Sequence, residues 1–124
     1  MRGLVPRAQT ALAATFTTAG VLHFLRPQMY EQIMPDYLPA HRELVYASGV
    51  TELVGGVLTM VPATRRLGGW MHVMTLVGVT PAHIHMLQHQ DRYPKIPAAA
   101  LWARLPIQVG MLYLVWKATL SRDA

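Results

Sequence analysis

The sequence predicts an all-α integral membrane protein, an antiparallel four-helix bundle forming one domain over residues 1–124. Three observations predict it. Four apolar runs, each long enough to cross a hydrocarbon layer, are separated by polar connections that carry proline and arginine. Hydrophobic residues make up 52% of the chain and charged residues only 14%, against roughly 25% charged in an average soluble domain. The basic residues stand singly or in pairs at the ends of the apolar runs, as membrane flanks do.

The first run spans about 8–25, is Ala- and Thr-rich, and follows a short basic cap containing Arg2 and Arg7. Its threonines can bond back to helix carbonyls, so they are tolerated, and Pro27 stops it. With three comparable runs behind it, the stretch reads as a span and not as a cleaved signal peptide. The connection from Arg26 to Arg42 holds Pro27, Pro35 and Pro39, and residues 29–34 predict one short amphipathic turn at the interface. The second run, 43–62, carries Glu52 at its middle and is followed at once by Arg65 and Arg66. The third, 67–87, ends in Thr80-Pro81-Ala82-His83-Ile84-His85-Met86, and Pro81 should kink it near His83. The fourth, 98–116, has Trp102 and Trp116 roughly 21 Å apart along a helix, a separation suited to two interfacial belts.

The side with Arg2, Arg7, Arg65, Arg66, Lys117 and Arg122 outweighs the side with Arg26, Arg42, Arg92 and Lys95. By the positive-inside rule both termini are then cytoplasmic, in a multi-pass protein of the inner (plasma) membrane. The formal charge of +5 gathers into no basic stripe, so a nucleic-acid partner is not expected. The absence of cysteine excludes disulfides, thiolate metal sites, iron–sulfur clusters and cysteine nucleophiles.

Ionisable residues inside apolar runs are costly and mark function. Measured from the face of the first loop, His23, His83, Arg104, Glu52 and Gln108 lie roughly 5, 8, 9, 13 and 15 Å deep. All five therefore share one half of the bilayer. Glu52 and Arg104, close in depth, are expected to pair. Ser48, Gly55 and Gly56 share a helix face with Glu52 and leave room beside the carboxylate. His83 and His85 are two residues apart and cannot both point inward, whereas His85 and His89 share a face at a spacing that permits metal ligation. His89 lies in or near water, no carboxylate except Asp91 follows at helical spacing, and no metal site is assigned. His72, near the other membrane face, reads as an interfacial or packing residue.

Ala19-Gly20-Val21-Leu22-His23-Phe24-Leu25-Arg26-Pro27, Pro35-Asp36-Tyr37-Leu38-Pro39 and Ser48-Gly49-Val50-Thr51-Glu52-Leu53-Val54-Gly55-Gly56 resemble the DoxX-like family of small bacterial membrane proteins. The later stretches 80–86 and 101–108 are similar to it as well. The resemblance implies four transmembrane helices and, for some relatives, association with membrane oxidoreductases or quinone-linked sulfur oxidation.

Three functional classes follow. The first is a redox-associated membrane subunit that binds a quinone-like lipophilic small molecule in a polar intramembrane pocket beside a membrane oxidoreductase partner. In it, Glu52 and His83 are the candidate catalytic groups, and His23, Ser48, His85, Arg104 and Gln108 the candidate ligand-binding groups. The second is a small isomerase or hydrolase using Glu52 or His83 as acid or base. The third is a transporter or channel component, or an assembly factor, without catalysis. A homo-oligomer is compatible with each.

Overall fold

Helix α1 runs over Leu4–Leu25, α2 over Pro27–Glu31, α3 over His41–Met60, α4 over Arg65–Gln88 and α5 over Ala98–Val115, in a computed structural model that describes residues 3–94, 96–122 and 124, with Leu4 described by its backbone alone. Short 3₁₀ turns follow α3 and α4, at Pro62–Thr64 and Gln90–Arg92, and α5 continues into a π-helical turn, Trp116–Leu120. No strand occurs among the described residues. Arg2 and Lys95, counted above for orientation, lie outside them.

The four long helices match the four apolar runs to within a few residues at each end. Helix α1 starts earlier than expected because Pro6 falls in its first turn, where a missing N–H has no intrahelical partner to lose. Pro27 ends α1 at Arg26 and opens α2 as its first residue. The rest of the connection closes on itself, Ile33 N–H donating to Tyr30 O, Met34 N–H to Glu31 O and Leu38 N–H to Pro35 O. Helices α4 and α5 run through Pro81 and Pro106 without breaking.

The helix register follows from close contacts. Gly20 of α1 lies on Gly49 and Leu53 of α3, and further along Gly56 of α3 lies on Thr17 and Ala13 of α1, so the two helices are antiparallel. Gly55 on His72 and Gly68 on Thr59 set α3 antiparallel to α4 in the same way. Gln108 on Leu76 and Gly69 on Thr119 do so for α4 and the α5 end of the chain. The foot of the structure is tied by Gln9 Nε2, which donates to Ala118 O at 2.9 Å, and by Arg66 Nη1, which donates to Leu120 O at 2.9 Å. Arg65 Nε caps the end of α3 through Thr59 O at 2.8 Å. A cation is well placed there against the helix dipole.

Burial departs from the usual pattern of a water-soluble domain, in which polar side chains are mostly exposed: beside an apolar core of Leu12, Phe16, Leu76, Val115 and Ala118, many polar side chains are buried and many large apolar ones exposed. Gln9, His23, Glu52, His72, His85 and Gln108 are all buried, while Val57, Leu67, Trp70, Val77, Trp102 and Val109 are each more than half exposed. Among the described residues one stretch, Ala98–Leu120, is long and apolar enough to cross a membrane by length and composition.

Candidate functional site

The α1–α3 crossing is what builds the site. With only hydrogen atoms at Gly20 and Gly49, the two backbones approach closely enough for His23, one turn beyond Gly20, to reach Glu52, one turn beyond Gly49. His23 Nδ1 stands 3.0 Å from Glu52 Oε2 and 2.6 Å from the carbonyl oxygen of Ala19. Both side chains are buried, His23 at 5% and Glu52 at 8% exposure. Since one N–H serves both oxygens and aligns with Ala19 O, Oε2 is held by proximity to the ring but lacks an aligned hydrogen bond. A buried carboxylate oxygen left in that state is costly unless something else meets it.

Beside this pair lies a cavity of about 590 Å³, within the range of about 300–1,000 Å³ typical of small-molecule sites. Its wall is mostly apolar, with Phe16, Val45, Leu76 and Met111 among its residues, and its polar members include His23, Ser48, Thr51, Glu52, His83 and Arg104. The segment between α1 and α3 closes one end with Tyr30, Ile33, Met34, Pro35 and Leu38. The Tyr30 ring stacks on the His23 ring, 3.7 Å between centroids. Thr15, Met74 and Gly78 also line the cavity and are exposed midway along α1 and α4, so it opens on the helix flank.

The covering segment is fastened from outside. Arg42 grips Glu31 with two bonds of 2.9 and 3.1 Å, Arg92 pairs with Asp36, and Tyr93 Oη donates to Gln32 O at 3.0 Å. The Arg42 hydrogen bonds hold the Glu31 carboxyl below its ordinary value, and the one from Arg92 does the same for Asp36.

Of the residues expected in the site, Glu52, His83, His23, Ser48 and Arg104 all line this cavity. The expected partnership differs. Glu52 pairs with His23, and among the described residues no carboxylate pairs with Arg104, whose guanidinium contacts Met111 Sδ at 3.7 Å. Equal depth placed Glu52 and Arg104 together, but the glycine crossing gives α1 the closer approach. Gln108 is outside the cavity wall. Its Nε2 donates to Leu76 O and lies 3.4 Å from Thr80 Oγ1, joining α5 to α4 just before Pro81. His85 is also outside the wall, buried with its ring 4.4 Å from that of His89. Among the described residues no group of three or more His, Cys, Asp or Glu is placed to hold a metal ion.

His72 is the packing residue of the two alternatives, fully buried, with Nε2 2.8 Å from Thr59 Oγ1 and its ring 3.9 Å from that of Phe16. Tyr30 was not singled out in the sequence. An aromatic residue inside a proline-bracketed loop directly after a buried histidine is the signal that points to it.

Residues 12–119 match the family model described as Domain of unknown function (DUF8561). No curated protein and no solved structure matches the chain.

Proposed function

We propose, for a chain that belongs to the DUF8561 family, that it is a four-span membrane protein which binds a lipophilic small molecule by its polar head. The observation that carries this reading is the cavity of about 590 Å³ whose apolar wall contains a buried His23–Glu52 pair with an unmet carboxylate oxygen. Apolar wall residues suit a hydrocarbon or ring body. Imidazole, guanidinium and carboxylate groups in that wall suit an oxygen-bearing head. A quinone-type ring with an isoprenoid tail meets both needs, which agrees with the DoxX-like resemblance.

The membrane setting is supported by the many buried polar and exposed large apolar side chains and by the apolar stretch Ala98–Leu120. Helices α1, α3 and α4 fall short of that stretch in apolarity because they carry the threonines, glycines and histidines of the interior. In a bundle this small, polar groups face neighbouring helices while the outer face meets lipid. The flank opening at Thr15, Met74 and Gly78 then faces the acyl chains, so a ligand dissolved in the bilayer reaches the cavity without crossing water. Electron transfer, where it occurs, belongs to a membrane oxidoreductase partner that exchanges the ligand.

Two measurements test the reading. Mass spectrometry of a lipid extract from the purified protein should show a stoichiometric lipophilic compound that is lost in Glu52→Gln; its absence from wild type under gentle extraction removes the binding function. In this cysteine-free chain, Gln28→Cys and Ala63→Cys should label from opposite faces of the membrane. Labelling from one face removes the four-span topology.

A further inference from the structure

We propose that His23, backed by Glu52, is the proton acceptor of the cavity, and that the ligand is a lipophilic hydroxyl acid, a phenol or hydroquinol, whose ionised oxygen is met by Arg104. The proposal rests on the binding function above and names the ligand's chemistry.

The tautomer of His23 follows from its neighbours. Nδ1 faces the Ala19 carbonyl oxygen at 2.6 Å and Glu52 Oε2 at 3.0 Å. A peptide carbonyl cannot donate, and a lone pair on Nδ1 would be driven against it, so Nδ1 carries the hydrogen. In the neutral ring Nε2 then carries the lone pair. Among the described residues no donor reaches Nε2. Tyr30 covers the face of the ring and leaves its edge, and the ring forms part of the cavity wall. The site therefore offers an acceptor nitrogen to whatever enters, with a carboxylate behind it to stabilise the imidazolium that forms.

The step balances within the site. The ligand O–H bond breaks, an N–H bond forms at Nε2, and the electron pair stays on the ligand oxygen. Negative Glu52, positive His23, the negative ligand oxygen and positive Arg104 then alternate, and no unpaired charge is added to the cavity. Arg104 suits the last place because, among the described residues, its guanidinium has a thioether as its hydrogen-bond partner and no carboxylate in an ion pair. The remaining titratable groups in the wall are Tyr30 from α2 and His83 from α4, and Glu52 is its one carboxylate among the described residues. An oxidised quinone has no O–H to give, so the arrangement selects the reduced, hydroxylated form.

The test uses the full chain in detergent micelles with 2-hexyl-4-nitrophenol, whose anion absorbs in the visible, and with its methyl ether. The phenol bound to wild type should show the anion band at a pH where the same phenol in empty micelles is protonated, and the ether should bind at least about tenfold more weakly. His23→Asn keeps an N–H toward Ala19 O but has no acceptor at the Nε2 position; it should bind the phenol in its neutral form. Arg104→Gln should shrink the anion band. Phenol and ether binding alike to wild type, with no anion band, overturns the proposal and leaves the binding function standing, and this comparison needs no variant. An anion band unchanged in folded His23→Asn also overturns it. Binding of neither compound overturns both.

Discussion

A Cβ placed on Gly20 of α1 would stand 2.9 Å from the carbonyl oxygen of Gly49 on α3, and one placed on Gly49 would stand 3.2 Å from the carbonyl oxygen of Gly20. The two backbones are therefore in contact at the crossing that brings His23 to Glu52. A Cβ on Gly49 would also lie 2.7 Å from the Cβ of His23, an atom with no freedom to move aside. Gly20→Ala and Gly49→Ala should each cost about 1–3 kcal/mol through overpacking and should weaken ligand retention by parting the pair. Gly110→Ala on α5 is the control, since a Cβ there meets nothing within 4 Å; it should stabilise by about 0.5–1 kcal/mol. Thermal unfolding in detergent reads all three, and equal behaviour at Gly20 and Gly110 would refute the crossing.

The His72–Thr59 bond supports a second prediction. Thr59 Oγ1 donates to Gly55 O at 2.8 Å, so its hydrogen is used and His72 Nε2–H must donate to Thr59 Oγ1. Thr59→Val leaves that N–H without an acceptor where nothing is exposed, costing about 1–3 kcal/mol. Thr59→Ser should recover most of the loss. Neither residue lines the cavity, so ligand affinity in the folded fraction should stay unchanged. Calorimetry and a ligand titration on the same samples separate the two effects.

The helices were legible because run length, proline positions and terminal charges act locally. Four of the cavity residues, His23, Glu52, His83 and Arg104, were placed near one another because polar groups inside apolar runs must be enclosed together and depth along a helix is simple arithmetic; Ser48 came from sharing a helix face with Glu52. The pairing among them was not legible. Whether Glu52 meets His23 or Arg104 depends on how closely two helices approach, and that is set by Gly20 and Gly49 acting jointly from separate helices. Gln108 and His85 lie outside the cavity wall for a related reason: depth gives height on a helix but not which neighbour a side chain faces. Arg65 and Arg66, read as topological markers, also bond helix-end carbonyls, a role that needs the turn geometry to be known.

Ala40 precedes α3 with φ 52°, the one described non-glycine residue at positive φ. Left-handed backbone costs an L-residue roughly 1–2 kcal/mol, and glycine avoids that while adding about 0.5–1 kcal/mol of unfolded-state entropy. Ala40→Gly should therefore be neutral to stabilising by up to about 1 kcal/mol. Ala40→Val, branched at Cβ, should destabilise by about 1 kcal/mol or more. A valine variant as stable as wild type would mean that the turn adopts another conformation in solution.

Tyr30 reaches His23 only while the segment between α1 and α3 is held down, and two of the ties that hold it are surface ion pairs. Glu31 is lowered chiefly by its hydrogen bonds from Arg42, and Asp36 chiefly by that from Arg92, with His85 and His89 adding in the same direction for Asp36. A carboxyl whose folded pKa is depressed contributes stability that is fully present above its unfolded value and is lost as pH falls through the folded one. The segment should thus stay fastened at neutral pH and loosen on the acid side of the ordinary carboxylate range near ~4. Salt should loosen it too, since both pairs are exposed. Amide hydrogen exchange over residues 29–38, corrected for intrinsic rates, should accelerate under either condition while α4 remains protected. Glu31→Gln combined with Asp36→Asn should exchange rapidly at neutral pH and respond little to further acid. Exchange in that segment that ignores acid, salt and the double substitution would mean that apolar packing of Ile33, Met34 and Leu38 against the cavity holds it, and that the ion pairs are incidental.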